Sequence, residues 1–114
     1  MQHLHFVYYG MKIKQSHVYI ITNKYRTVFY VGVTSNIKAR LNQHVFNVNK
    51  KSFSFQYNCK TLVYLEEFND IVTAIAREKQ LKGWRRDKKL ALIRSVNPEL
   101  KSWNRRVLGQ AAAP

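Results

Sequence analysis

The sequence predicts an α+β fold with elements in the order β-β-α-β-α-α, and three patterns predict it. Two runs rich in β-branched and aromatic residues, 17–22 and 27–33, flank a polar, turn-like stretch at 23–26, which reads as a β-hairpin. Ile37, Leu41, Val45 and Val48 then recur at helical spacing. Residues 61–68 alternate, with Leu62 and Tyr64 on one face and Val63 and Leu65 on the other, as a further strand should.

On the pleat, His17, Tyr19 and Ile21 share one face of the first strand, and Val28, Tyr30 and Gly32 share one face of the second. Tyr19 and Tyr30 therefore lie on the same side when the register allows it. Gly32, without a side chain, leaves room for another backbone or a phosphate to come close. Thr34 or Ser35 is the expected N-cap of a helix over 36–47. The stretch 50–60 is polar and basic with Phe53, Phe55 and Tyr57 interspersed, and is expected to be a substrate-facing loop. Asn69 or Asp70 caps a second helix that should turn Ile71, Ile75 and Leu81 inward, and Gly83 breaks it. A third helix over about 84–96 carries Leu90, Leu92 and Ile93 and should stop at Asn97, because Pro98 disfavours helical geometry in the residue before it. The expected organisation is an N-terminal extension over 1–15, one domain over 16–104 and a tail over 105–114.

At 114 residues, 46% of them hydrophobic, the chain can bury one core. Twenty Lys and Arg against six Asp and Glu leave a formal charge of +14, which a folded domain tolerates best with a polyanionic partner. Nucleic acid is the leading candidate. A membrane surface fits less well, because the basic residues are scattered over strands and helices instead of gathered opposite a broad apolar face. No segment has the apolar length to span a bilayer, and residues 1–10 lack the basic leader and small-residue cleavage site of a secretory signal. The single Cys59 excludes an internal disulfide and a cysteine zinc knuckle, which fits a reducing compartment and a cytoplasmic location.

Glu78 is the residue the pattern does not expect. It lies three residues after Ile75 and three before Leu81, on the side of its helix that should face the core, where an unpaired carboxylate costs several kcal/mol. A divalent cation would compensate it, as would a salt bridge to one of the many basic side chains. Arg40 and His44, spaced i and i+4, stack on one side of the first helix and can act on one ligand: the guanidinium suits charge building on a phosphate, and imidazole carries a proton near neutral pH. A solvated polar face is the bland reading of that pair. The tyrosines could be ordinary half-buried strand aromatics, and a phenol acts as a base only if nearby cations lower its pKa from near 10. Six scattered carboxylates favour a one-metal mechanism over a two-metal one. There is no Gly-rich phosphate loop and no second histidine near His44.

With these residues in hand, the chain resembles the GIY-YIG nuclease family, and within it the small single-domain endonuclease group. His17-Val18-Tyr19 stands in place of Gly-Ile-Tyr, and Tyr30-Val31-Gly32 matches the second signature. The likeness runs from about 17 to 97 and includes the stretch 75–84 around Glu78 and the stretch 95–98. The resemblance implies a three-stranded antiparallel sheet flanked by helices and a single divalent metal, Mg²⁺ or Mn²⁺, held by Glu78. It implies that Arg40 stabilises the pentavalent phosphate, Tyr19 helps to activate the attacking water and His44 relays its proton. Tyr30 would orient the phosphate, and Asn97 would contact the phosphate or brace the site, with Asn104 as the alternative asparagine. Val33 follows Gly32 where the excision-repair relatives place a lysine, so that lysine's assistance is absent here.

The implied function is metal-dependent endonucleolytic hydrolysis of DNA, structure-selective or weakly sequence-specific, with no obligate protein partner evident. The alternatives are a non-catalytic basic module that binds DNA or RNA while retaining the fold, and an accessory protein of RNA metabolism.

Overall fold

The run Ser16–Thr22 is buried along nearly its whole length because it is the middle strand of the sheet, covered by helices on both faces. The computed structural model describes residues 7–8, 11–12, 15–46 and 56–109. Its strands are β1 (Val7–Tyr8), β2 (Met11–Lys12), β3 (Ser16–Thr22), β4 (Phe29–Thr34) and β5 (Thr61–Phe68). Its helices are α1 (Ile37–Val45), α2 (Ile71–Lys82), α3 (Arg86–Val96) and α4 (Asn104–Leu108). β1 and β2 pair as a short antiparallel ribbon. The main sheet is antiparallel, in the order β4-β3-β5.

Period-2 alternation on β3 divides the core. Val18 and Ile20 point to the face packed by Ala74 and Leu81 of α2 and Ile93 of α3. Tyr19 and Ile21 point to the opposite face, against Leu41 and Val45 of α1 and, from the C-terminal end, Trp103, Val107 and Leu108. Tyr19 pairs with Gly32 and Ile21 with Tyr30 across the β3–β4 ladder, so both tyrosines stand on the second face, as their spacing predicts.

Several local expectations shift. The N-cap of α1 is Asn36, whose side chain accepts from Ala39 N at 3.1 Å, while Thr34 ends β4 and its hydroxyl accepts from Asn36 N. Asp70 caps α2 as expected, and Gly83 closes it. The inward stripe of α2 is Ala74 and Leu81; Ile71 and Ile75 are more than a third exposed, because the helix is rolled so that Ala74 and Leu81 meet the core. α3 starts two residues later than the sequence predicts and stops before Asn97. The chain after 104, expected as a tail, is helical to Leu108 and packs on α1. Most of the expected loop at 50–60 lies outside the described residues.

β5 is an edge strand, and the C-terminal segment covers it. Trp103 N donates to Leu62 O at 2.7 Å, and Asn104 accepts from Leu62 N at 2.8 Å. Edge backbone that would otherwise invite another strand is thereby satisfied.

Candidate active site

The site forms where α1 lays its last turn over the β3–β4 pair. Leu41, His44 and Val45 are the buried residues of this helix, so His44 enters the same apolar layer as Tyr19. The Tyr19 hydroxyl and His44 Nε2 are 3.0 Å apart in a buried hydrogen bond. The Tyr30 ring completes a triangle, its centroid 6.3 Å from that of Tyr19 and 5.7 Å from that of His44, with 5.6 Å between Tyr19 and His44.

Burial dictates the protonation of this group. The His44 imidazole is pushed down to about 4, first by burial and then by the Arg40 charge, so it is neutral at physiological pH. The Tyr19 phenol is pushed well above its usual 10 by burial, with Tyr30 and Glu78 adding to the rise and Arg40 opposing it. The hydroxyl therefore keeps its proton, and it donates to Nε2 in the tautomer that carries the imidazole proton on Nδ1. Arg40, one turn before His44, is exposed and acts on both titrating groups through its charge.

Glu78 reaches the site from α2. Its side chain is only 12% exposed, and Lys82, one turn on, donates to Oε2 at 2.6 Å. The same Lys82 Nζ lies 5.9 Å from the Tyr30 ring centroid. Among the described residues no group of three or more His, Cys, Asp or Glu could hold a metal. A metal at Glu78 would thus have fewer than three such protein ligands, which suits a hard, oxygen-seeking ion that fills its remaining positions with water and phosphate oxygens.

A family model described as the GIY-YIG catalytic domain matches residues 15–91 of this chain. The chain belongs to the GIY-YIG family. The solution NMR structure of the UPF0213 protein BH0048 from Bacillus halodurans is similar in fold, with a TM-score of 0.50 and 21% identity over 82% of this chain and 98% of that one. No curated protein matches the chain by sequence. GIY-YIG nucleases act on nucleic acid, which agrees with the excess of basic residues.

Of the residues expected at a GIY-YIG site, the fold brings Tyr19, Tyr30 and His44 into contact, with Arg40 and Glu78 in electrostatic reach of Tyr19. Asn97 is corrected. Its amide donates to Val63 O and Lys101 O at 3.0 and 2.9 Å and accepts from Lys101 N at 3.0 Å, so no polar atom is left for a phosphate. Asn104 is likewise committed, to Leu62 N and Lys60 O. Both asparagines brace β5. Gly32 is corrected as well: the space left by its missing side chain is filled by the Tyr19 ring. Lys82 was not singled out by the sequence, although its i,i+4 spacing from Glu78 was a usable signal.

Among the described residues no helix is long and apolar enough to cross a membrane.

Proposed function

We propose that this GIY-YIG protein is a metal-dependent endonuclease that hydrolyses phosphodiester bonds in DNA, selecting by structure or weakly by sequence, in the cytoplasm and without an obligate protein partner. The observation that carries this reading is the buried 3.0 Å hydrogen bond between the Tyr19 hydroxyl and Nε2 of a neutral His44.

The chemistry follows from the two protonation states. A water placed against the Tyr19 oxygen passes its proton to that oxygen as it attacks phosphorus, while the Tyr19 proton moves to His44 Nε2. The phenol ends as a phenol and the imidazole as an imidazolium. Arg40 offers its fork of donors to the charge that builds on the phosphate oxygens. Tyr30, packed against both partners, fixes the phosphate's approach. Glu78 is the residue that would hold Mg²⁺ or Mn²⁺, which when bound polarises a phosphate oxygen and stabilises the departing oxygen. With a formal charge of +14, phosphate contacts dominate affinity, which falls steeply with salt.

The test is cleavage of labelled duplex, nicked, flapped, branched and single-stranded DNA, and of RNA, with Mg²⁺, Mn²⁺ or chelator, comparing wild type with Glu78→Ala. The expected result is metal-dependent cutting of DNA that Glu78→Ala loses. Binding without cutting on every substrate would overturn the reading in favour of a non-catalytic basic module.

A further inference from the structure

A second basic site lies at the hairpin end of the sheet. A pocket of about 390 Å³ is lined by Lys24, Arg26, Asn58, Lys60, Thr61 and Ser102. Three parts of the chain build it: the β3–β4 turn, the start of β5 and the segment before α4. Lys60 N donates to Thr22 O at 3.2 Å, and Asn104 donates to Lys60 O at 2.9 Å, so the wall is held by backbone and buried amide.

Two further observations single out this place. The non-glycine residues with positive φ among those described are Arg26, Asn58 and Leu100. Arg26 and Asn58 line the pocket, and Leu100 supplies the carbonyl that Arg26 Nε grips at 3.1 Å. Unfavourable backbone of this kind persists where surrounding structure enforces it, and it concentrates at binding sites.

The second observation is charge. The chain has six side-chain carboxylates, and none of them lines the pocket. Glu66 holds Arg77, Glu67 faces His17, Glu78 holds Lys82 and Glu99 holds Lys101. Asp70 caps α2, and Asp87 accepts from Lys88 N. Arg26 donates to the carbonyls of Asn23, Lys24 and Leu100, which fix the guanidinium without neutralising it. Three cations and three neutral hydrogen-bonding side chains thus line one pocket with no acid among them.

We propose that this pocket is a phosphate-binding subsite that grips the nucleic-acid strand away from the scissile bond. The inference rests on the nuclease reading above. Thr22, paired with Thr61 at the pocket wall, is three residues along β3 from Tyr19, a distance of about 10 Å at the rise of a strand. Projected on the helix axis of a duplex, that length spans about three phosphates of one strand. A strand held at Tyr19 and His44 carries a further phosphate within reach of the pocket.

The test measures binding of a labelled DNA oligonucleotide in chelator over a salt series. Wild type is compared with Lys24→Gln/Lys60→Gln and with a control of equal charge loss on the opposite helices, Lys79→Gln/Arg94→Gln. The pocket variant is expected to bind about tenfold more weakly and to lower the slope of log affinity against log salt by about two, one for each phosphate contact removed. The control should change both by less. Lys24→Gln alone, at an exposed turn position, should give about half the slope change and serves if the double variant unfolds. A pocket variant that binds like wild type, or a control that loses as much, overturns the subsite while wild-type cleavage still upholds the nuclease reading. Inorganic phosphate that shifts the Lys60 and Thr61 amide resonances, beside undiminished DNA binding by the variant, marks a free-anion site and also overturns it. Wild type that neither binds nor cuts any nucleic acid overturns the nuclease reading and the subsite with it.

Discussion

The ring of Tyr19 lies across the α-carbon of Gly32, its register partner on β4. A β-carbon at Gly32 would stand 2.3 Å from both Cζ and the hydroxyl oxygen of Tyr19, and 2.8 Å from Cε2. The glycine is therefore required by space. It seats the phenol whose hydroxyl meets His44, so the two signature tripeptides form one packed unit.

Gly32→Ala should displace that ring and break the Tyr19–His44 hydrogen bond. The expected overpacking cost is about 1–3 kcal/mol, with cleavage lost. A double-mutant cycle by urea denaturation isolates the cause: in a Tyr19→Ala background most of the Gly32→Ala penalty should vanish. Additive penalties would refute the steric account.

Acid stability should report the buried imidazole. His44 titrates near 6.5 when exposed and at about 4 in the fold, so between those values the unfolded chain binds more protons. Stability from this group is complete above about pH 6.5 and is lost as the pH falls toward 4, amounting at most to about 3 kcal/mol. His17, also pushed down by burial against the opposing pull of Glu67, slopes the same way. Urea midpoints at several pH values from 7 to 4.5 should fall for wild type and fall less for His44→Gln. Equal slopes in the two proteins would mean that His44 is not held neutral.

The asparagines should separate stability from catalysis. Asn97→Ala strands the Val63 and Lys101 carbonyls, and Asn104→Ala strands Leu62 N and Lys60 O. Each should destabilise by about 1–3 kcal/mol, the penalty for buried polar groups left unpaired. Cleavage per folded molecule should stay near wild type for Asn97→Ala, measured below its melting transition. A large fall in that rate without a fall in stability would restore Asn97 to the site.

What the sequence made legible was whatever repeats locally. The alternation in β3 and β4 placed Tyr19 and Tyr30 on one face, and the i,i+4 spacing placed Arg40 beside His44. The cap of α1 was harder, since Thr34, Ser35 and Asn36 can all accept from a helix start, and only the length of β4 decides among them. α4 spans five residues, too few for a periodic signal. The choice between a phosphate contact and a bracing role for the asparagines was not legible, because their partners are backbone atoms of β5, 34 and 42 residues away, and no side-chain pattern records such a partner.

Lys82 should govern how readily Glu78 takes a cation. Its ammonium lies 2.6 Å from a carboxylate that is 12% exposed, while the lysine itself is 49% exposed and tethered by a flexible stem. A divalent ion proposed for Glu78 must compete with that charge. Lys82→Met should lower the Mn²⁺ concentration for half-saturation by up to about fivefold, the limit that a pair worth at most about 1 kcal/mol gives. Stability should move by less than about 1 kcal/mol, because one partner is half in solvent. Calorimetric Mn²⁺ titration of the two proteins measures the shift, with no need for turnover. Weaker Mn²⁺ binding by Lys82→Met would assign the lysine the opposite role, that of aiming the Glu78 carboxylate.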